Sequence, residues 1–177
     1  MRIIAASIIL GLAGSWIVCA AAGPNRPADP ILSIRQQYAA INRKAARYKK
    51  VKKELSGYSA EGGELVAYFD GQAIPKIVAT YYGEMGRTIE EYYFANGKLI
   101  FVYQKVFHYN RPLSGKVVRT EESRFYFNND QLIRWLDEKG KQVSSSTPEY
   151  LEKQKDYLEA ATKFTTGARS TDPVIEA

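Results

Sequence analysis

The chain has 177 residues, of which 45% are apolar and 25% are charged, and its 25 Lys and Arg residues outnumber its 19 Asp and Glu residues. These proportions suit one globular domain and exclude a collagen or a wholly disordered chain. With one Cys and one His, they also exclude a disulfide scaffold and a zinc module. The 13 Tyr and 7 Phe residues favour β-sheet as the main core-forming element.

The first 22 residues have the pattern of a secretory signal peptide. Arg2 precedes an uncharged run over residues 3–18, and small residues follow where signal peptidase reads its site. We therefore predict export to the periplasm or the extracellular space, with cleavage after Ala20 or Ala22. Either cut removes Cys19, so the exported chain would have no thiol.

Two alternatives to cleavage stay open. Lipid attachment at Cys19 is disfavoured, because Val18 rather than a small residue comes directly before the cysteine. An uncleaved membrane anchor is compatible with the uncharged segment, since about 20 apolar residues span a bilayer. The basic segment downstream opposes translocation. The mass of the exported protein distinguishes both alternatives from cleavage.

The first helix is predicted directly after a short leader. Residues 23–30 contain three prolines and are interpreted as an extended leader before a single domain over residues 31–166. Asp29 followed by Pro30 is typical of a helix N-terminus. Apolar residues then recur every three or four positions as far as Leu55, which predicts one long amphipathic helix.

Six short β-rich runs follow, and turn residues such as Asn96 and Gly97 separate them. An Asn-Gly pair tolerates the positive φ of a tight hairpin turn. The short connections leave no room for crossover helices, so the sheet should be an antiparallel meander. The predicted strands are Glu64–Phe69, Lys76–Tyr82, Arg87–Phe94, Leu99–Tyr109, Val117–Phe127 and Leu132–Leu136.

A second helix is predicted near the C-terminus. Ser146 or Thr147 is expected to cap this helix, with Glu149 three residues after Ser146, and apolar residues continue at helical spacing to Phe164 before Gly167. We therefore predict an α+β fold with an N-terminal amphipathic helix, an antiparallel β-meander of about six strands and a C-terminal helix. Both helices are expected on one face of the sheet. Residues 167–177 have little apolar content and are expected to be a flexible tail.

Three turn segments resemble one another. Residues 93–100 and 126–133 share a Tyr-Phe pair, a turn and a Leu-Ile pair, and residues 68–72 are a partial third copy. These segments resemble the hairpins of exported bacterial proteins of undefined function that are built from aromatic, Asn-Gly turns. They are also weakly similar to MORN-like repeats, but lack the regular spacing and paired glycines of those repeats. The resemblance implies a meander of hairpins in an exported bacterial protein and carries over no functional residue.

The most concentrated charge in the chain lies between residues 43 and 53, which contain seven cations and no acid. On the predicted helix these side chains surround the apolar stripe, which is typical of a solvated face. They also predict weak, salt-sensitive attraction to an anionic membrane or cell-wall polymer. Nucleic acid is not expected as a partner of an exported protein. The candidate surface residues are Arg43, Lys44, Arg47, Lys49, Lys50, Lys52 and Lys53.

Aromatic clusters in the predicted strands are the best candidate for a binding site. Neighbouring residues of a strand point to opposite faces, so each cluster places aromatic rings on both sides of the sheet. We expect cross-strand packing, with the face away from the helices open to an unidentified protein or small ligand. The candidate contacts on this open face are Tyr81, Tyr92, Tyr103 and Trp135.

Catalysis is poorly supported by the sequence. His108 is the only histidine, and the common nucleophile, zinc-protease and phosphate-binding motifs are absent. Glu90 and Glu91 should diverge to opposite faces of a strand, as should Glu121 and Glu122, so neither pair forms an acid–base dyad. Two distant carboxylates, as glycosidases use, are a weak alternative. We therefore predict no enzyme, no catalytic residue, no metal site and no cofactor.

Two functional hypotheses follow from these features. The first is a non-catalytic exported binding or interaction protein that uses the open aromatic face of its antiparallel sheet. The second is an envelope-associated structural protein, held to anionic lipid or polymer by the basic N-terminal helix. A ligand-induced change in Trp135 fluorescence would support the first hypothesis, and salt-dependent surface binding would support the second.

Overall fold

The computed structural model describes residues 29–177, so the predicted signal peptide, its cleavage sites and most of the leader lie outside the described residues. Within this range the fold is α+β, as predicted, with one helix before and one helix after the seven antiparallel strands in the chain. A short 3₁₀ turn, Ala45–Arg47, follows the first helix. The elements are α1 (Pro30–Lys44), β1 (Lys49–Ser56), β2 (Gly63–Asp70), β3 (Ala73–Gly83), β4 (Gly86–Ala95), β5 (Lys98–Tyr109), β6 (Val117–Asn128), β7 (Gln131–Leu136), α2 (Pro148–Arg169) and β8 (Val174–Glu176).

The eight strands form one sheet in the order β7-β6-β5-β4-β3-β2-β1-β8. Strands β1 to β7 each pair antiparallel with their neighbours in the chain, which confirms the predicted meander. The turn between β4 and β5 uses Asn96 and Gly97, both with positive φ, as the turn chemistry predicts. The expected number of strands, about six, is wrong, because β1 and the parallel strand β8 extend the sheet at one edge.

The predicted first helix is too long. It ends at Lys44, and the lysine-rich segment Lys49–Ser56 is strand β1, hydrogen-bonded to β2 on one side and β8 on the other. Its side chains alternate, with Lys53 and Leu55 buried and their neighbours exposed. Pairing with β2 along Lys49–Leu55, and with β8 at Glu54–Ser56, supplies hydrogen-bond partners to the backbone of β1. This tertiary effect outweighs the helix propensity of a Lys-rich segment.

The two helices pack on opposite faces of the sheet, so the expectation that both lie on one face is wrong. Tyr157 and Phe164 of α2 join a core with strands β1 to β7, whereas Ile34 of α1 joins a smaller core around Phe101 and Tyr126. Because the aromatic strands are apolar on both sides, each face of the sheet must be buried against another element. Within residues 29–177, neither helix has the length and apolar character needed to cross a membrane.

The C-terminal segment expected to be a flexible tail contains a paired strand. Helix α2 continues past Gly167, and β8 then runs beside β1. A Cβ atom at Gly167 would lie 2.6 Å from Cδ1 of Ile175, so the glycine allows β8 to pass close to the helix. The buried Lys53 ammonium donates hydrogen bonds to the backbone oxygen of Ser170, at 2.7 Å, and to that of Asp172.

Candidate binding sites

The four predicted contact residues do not share one open face. Tyr81, Tyr92 and Trp135 lie on the face that α2 covers, whereas Tyr103 lies on the α1 face. Tyr92 is 1% exposed and Trp135 is 8% exposed, so neither offers a surface to a partner. Tyr81 and Tyr103 are half-buried, and each borders a cavity. The single predicted site is therefore replaced by two cavities on opposite faces.

The first cavity, which we name the α1 groove, lies between α1 and strands β5 and β6 and has a volume of about 180 Å³. Its walls combine four aromatic rings with two guanidinium groups. The rings of Tyr38 and Phe101 meet edge to face with centroids 5.3 Å apart, and Phe101 stacks on Tyr103 at 6.5 Å. The lining residues are Ile34, Arg35, Tyr38, Phe101, Tyr103, Arg124 and Tyr126.

The spacing along α1 determines which of its side chains reach the groove. The Asp29 carboxylate accepts a hydrogen bond from a first-turn backbone N–H at 2.9 Å, which begins the helix. Ile34 and Tyr38 are four residues apart, so both lie on the side that faces the sheet. Arg35 is the next residue after Ile34 and lies exposed at the edge of the groove.

Both guanidinium groups of the α1 groove lie over aromatic rings. Arg124 is directly opposite Tyr103 in the β5–β6 pairing, and its Cζ atom is 5.2 Å from the ring centroid, whereas Arg35 lies 6.0 Å from the centroid of Tyr126. Arg124 also forms a salt bridge with Glu122 at 2.8 Å. Among residues 29–177, Arg35 has no carboxylate oxygen within 4.0 Å. Arg35 is therefore available to an anionic ligand.

A buried charged network holds the C-terminal part of α1 on the sheet. The Lys76 ammonium donates hydrogen bonds to the Glu91 carboxylate at 2.7 Å and to Oδ1 of Asn42 at 3.1 Å, and the Tyr93 hydroxyl also donates to Glu91. Burial by itself raises the pKa of Glu91. Hydrogen bonds from Lys76 and Tyr93, with the charges of Lys76 and Lys105, outweigh it and hold that pKa below its ordinary value. We interpret this network as structural.

The second cavity, which we name the Glu90 cavity, lies beside α2 on the other face and has a volume of about 260 Å³. Glu90 itself is 9% exposed. Burial and the charge of Glu90 raise the pKa values of the three surrounding tyrosines, so their hydroxyls stay protonated as donors at neutral pH. The carboxylate accepts hydrogen bonds from Tyr92 (2.6 Å), Tyr81 (3.2 Å), Tyr157 (3.4 Å) and Nε2 of Gln104 (2.9 Å).

The neighbouring carboxylates diverge, as predicted. Glu90 faces α2 and Glu91 faces α1, since their hydrogen-bond partners lie on opposite sides of β4. Glu121 contacts Nε2 of His108 at 3.2 Å near the end of β5, whereas Glu122 points to the α1 face. In the part of the chain that the structure describes, three or more His, Cys, Asp or Glu side chains nowhere cluster as a metal site would require.

The predicted basic helix is divided between the end of α1, the 3₁₀ turn and β1. Lys53 is 7% exposed and donates to backbone carbonyls, so the prediction that it is a surface contact is wrong. The other six cations are exposed. None of the seven lies within 4.0 Å of a carboxylate oxygen of residues 29–177.

Sequence reasoning missed most of the residues that line these cavities, and three of them are charged residues on which the chemistry of the cavities depends. Arg35 and Arg124 join the α1 groove, and Glu90 lies in the wall of the other cavity. The alternation along β4 already places Glu90 on the same face as Tyr92. Which helix covers that face depends on tertiary packing, so the sequence carried no signal for the cavity itself.

Comparison of the chain with protein-family models, with curated proteins and with solved structures finds no match. The functional interpretation therefore rests on the geometry and charge of the two cavities and of the basic segment.

Proposed function

We propose that this chain is a non-catalytic exported binding protein whose ligand or partner occupies the α1 groove. The observation that carries the proposal is the combination of four aromatic rings and two guanidinium groups around one opening. Aromatic rings bury apolar ligand surface, and a guanidinium group binds a carboxylate or phosphate through paired N–H donors. The matching ligand class is an anionic group attached to an aromatic or apolar part.

The charge of the groove supports an anionic ligand. Among the described residues, those that line the groove include Arg35 and Arg124 but no carboxylate. Arg124 is partly neutralised by Glu122, so Arg35 supplies the charge that is free for a ligand. A hydrogen bond to a charged group contributes about 1.5–3 kcal/mol. Loss of Arg35 should therefore weaken binding of an anionic ligand by about tenfold or more.

Titration with phenyl phosphate, followed by NMR chemical shifts, tests this proposal. We expect saturable shifts at Tyr103 and its neighbours in the α1 groove, and about tenfold weaker binding in Arg35→Gln. Arg87→Gln is the matched control, because Arg87 also lies over an aromatic ring, Phe107 at 4.5 Å, on the same face but outside the groove. Equal affinities of the two variants would contradict the proposal, as would equal binding of benzyl alcohol.

A second candidate function is favoured by the basic segment. We propose, as an alternative, an envelope-associated protein held to anionic lipid or polymer by six exposed cations from Arg43 to Lys52. The supporting observation is that none of these cations is paired with a carboxylate in the described part of the chain. Each basic residue near an anionic membrane surface contributes about 1 kcal/mol to attraction.

Co-sedimentation with phosphatidylglycerol and phosphatidylcholine vesicles tests this alternative. We expect binding to the anionic vesicles alone, loss of that binding at high salt, and about tenfold or greater weakening in the double variant Lys50→Gln/Lys52→Gln. The double variant Lys139→Gln/Lys141→Gln removes the same charge after β7 and should bind like wild type. Similar weakening in both double variants would show that net charge, not the basic segment, causes binding.

A further inference from the structure

Glu90 is a buried carboxylate with no cation beside it. Among residues 29–177, no Lys, Arg or His nitrogen lies within 4.0 Å of its carboxylate oxygens. Oε2 accepts hydrogen bonds from the hydroxyls of Tyr92 and Tyr81. Oε1 accepts hydrogen bonds from the Gln104 amide and the Tyr157 hydroxyl. An ionised carboxylate has about four acceptor sites, so these neutral donors solvate the charge without neutralising it.

The cavity beside this carboxylate has aromatic walls. The ring centroids of Tyr58 and Phe164 are 5.6 Å apart, and Phe164 meets Tyr92 edge to face at 5.5 Å. Tyr58 also lies 6.2 Å from Tyr81 at the other side of the cavity. Aromatic faces carry negative potential and attract cations. A second carboxylate, that of Asp156, lines the cavity from the exposed side of α2.

The tyrosine hydroxyls extend the acceptor character of Glu90 into the cavity. Each hydroxyl donates its proton to the carboxylate, so its oxygen can accept a hydrogen bond from another donor. The Tyr157 oxygen already accepts one from Nε2 of Gln104 at 3.2 Å, which leaves the oxygens of Tyr81 and Tyr92 as the main acceptors for a ligand. Burial and the charge of Glu90 raise the pKa values of Tyr81, Tyr92 and Tyr157, which keeps these hydroxyls protonated. A group that enters the cavity therefore meets oxygen acceptors, aromatic faces and an unneutralised negative charge.

We propose that the Glu90 cavity is a second binding site, which takes a primary ammonium group on a short alkyl chain. An ammonium group supplies three N–H donors for the phenol oxygens. It also supplies a cation to the Glu90 carboxylate, which has none beside it. The cavity volume of about 260 Å³ suits a small ligand, because pockets for drug-sized ligands have volumes of about 300–1,000 Å³. The site lies on the opposite face from the α1 groove and does not depend on the function proposed for that groove.

Lys153 is the one cation among the described residues that line the Glu90 cavity, and the Lys163 ammonium lies 5.6 Å from the ring centroid of Tyr58 in the cavity wall. Lys153 is half-buried and lies more than 4.0 Å from the Glu90 and Asp156 carboxylates. We interpret Lys153 as a cation at the edge that competes with the ligand for the negative charge of the cavity. Its removal in Lys153→Gln should therefore tighten binding of an ammonium ligand, and weaker binding in this variant would contradict the proposed role of charge.

Titration of the full chain with n-butylammonium chloride, and separately with n-butanol, tests the site at constant ionic strength. We expect saturable NMR shifts at Tyr92 and Tyr157 with butylammonium, and at least about tenfold weaker binding of the neutral alcohol. Equal affinities for the two probes would overturn the proposal, because charge would then contribute nothing. The absence of any saturable shift with butylammonium would overturn it as well.

Variants localise the effect. Glu90→Gln should weaken butylammonium binding by at least about tenfold, whereas Glu159→Gln, which removes an exposed carboxylate of α2 outside the cavity, should match wild type. Tyr81→Phe removes one half-buried acceptor and should weaken binding about threefold. This variant keeps the proposal testable if Glu90→Gln fails to fold. Wild-type affinity in Glu90→Gln or Tyr81→Phe would overturn the proposal. Phenyl phosphate binding should be unchanged in Tyr81→Phe, so the two proposed sites can fail separately.

Discussion

Replacement of Glu91 by glutamine tests the ion pair that holds α1 on the sheet. The side chains of Lys76 and Glu91 are 11% and 16% exposed, so the pair is largely removed from water. At 2.7 Å and an effective dielectric constant of about 20, their attraction is about 6 kcal/mol, and desolvation offsets much of it. Removal of one partner of a buried pair costs about 3–5 kcal/mol. Glutamine still accepts a hydrogen bond and Asn42 still binds Lys76, so we expect a loss of about 2–3 kcal/mol in the free energy of unfolding.

The pH dependence of this loss is a second, independent signature. The pKa of Glu91 is lowered in the folded protein, so its contribution to stability is fully present above the pKa of the unfolded chain. That contribution is lost as the pH falls through the lowered, folded-state pKa. Urea denaturation followed by circular dichroism, from neutral pH to about pH 3, should show a difference between wild type and Glu91→Gln that is largest at neutral pH and shrinks in acid.

Glu122→Gln is the matched control for this experiment. Glu122 pairs with Arg124 at 2.8 Å on the same face of the sheet, but the two side chains are 41% and 35% exposed. An exposed ion pair contributes about 0–1 kcal/mol, so we expect a much smaller loss in this variant. Equal losses in the two variants would refute the reasoning that burial determines the contribution of the pair. A loss in Glu91→Gln that stays constant in acid would refute it too.

Two packing predictions use matched positions, and urea denaturation measures both. Gly86→Ala should cost about 1–3 kcal/mol or more, because a Cβ atom there would lie 2.1 Å from the Phe107 carbonyl oxygen. Its partner across the hairpin, Gly83, leaves 3.5 Å to the nearest atom, so Gly83→Ala should cost less than about 1 kcal/mol. Phe164→Ala, at a fully buried position, should cost about 3–5 kcal/mol, whereas Leu151→Ala, 60% exposed on the same helix, should change stability by less than about 0.5 kcal/mol. A similar loss at both members of either pair would contradict the corresponding argument.

The hairpins were predictable from the sequence because their turns depend on local chemistry. Asn96 and Gly97 adopt the positive φ that this pair tolerates, and β4 and β5 pair antiparallel on either side of them. The same local reasoning failed for Lys49–Ser56. Its apolar residues fit a helical spacing, but β2 supplies backbone partners along the segment and β8 adds them at its C-terminal end, so the segment forms a strand.

The candidate sites were predictable only in part. Aromatic clusters on adjacent strand positions correctly indicated rings on both faces, and Glu90 and Glu91 diverge as alternation requires. The assignment of Tyr81, Tyr92, Tyr103 and Trp135 to one open face was wrong. Tyr103 has the opposite alternation from the other three residues once the strands are in register, and register is a property of paired strands rather than of one strand.

Residue order and turn chemistry were sufficient to identify an α+β meander, because the φ preferences and alternation on which they depend act over a few residues. The placement of the helices was not accessible in this way. Both faces of the sheet are apolar, so local patterns do not specify which face each helix covers. Tertiary packing decided that α1 and α2 lie on opposite faces. That placement brought Arg35 to Tyr126 and α2 to Glu90, which created the two cavities.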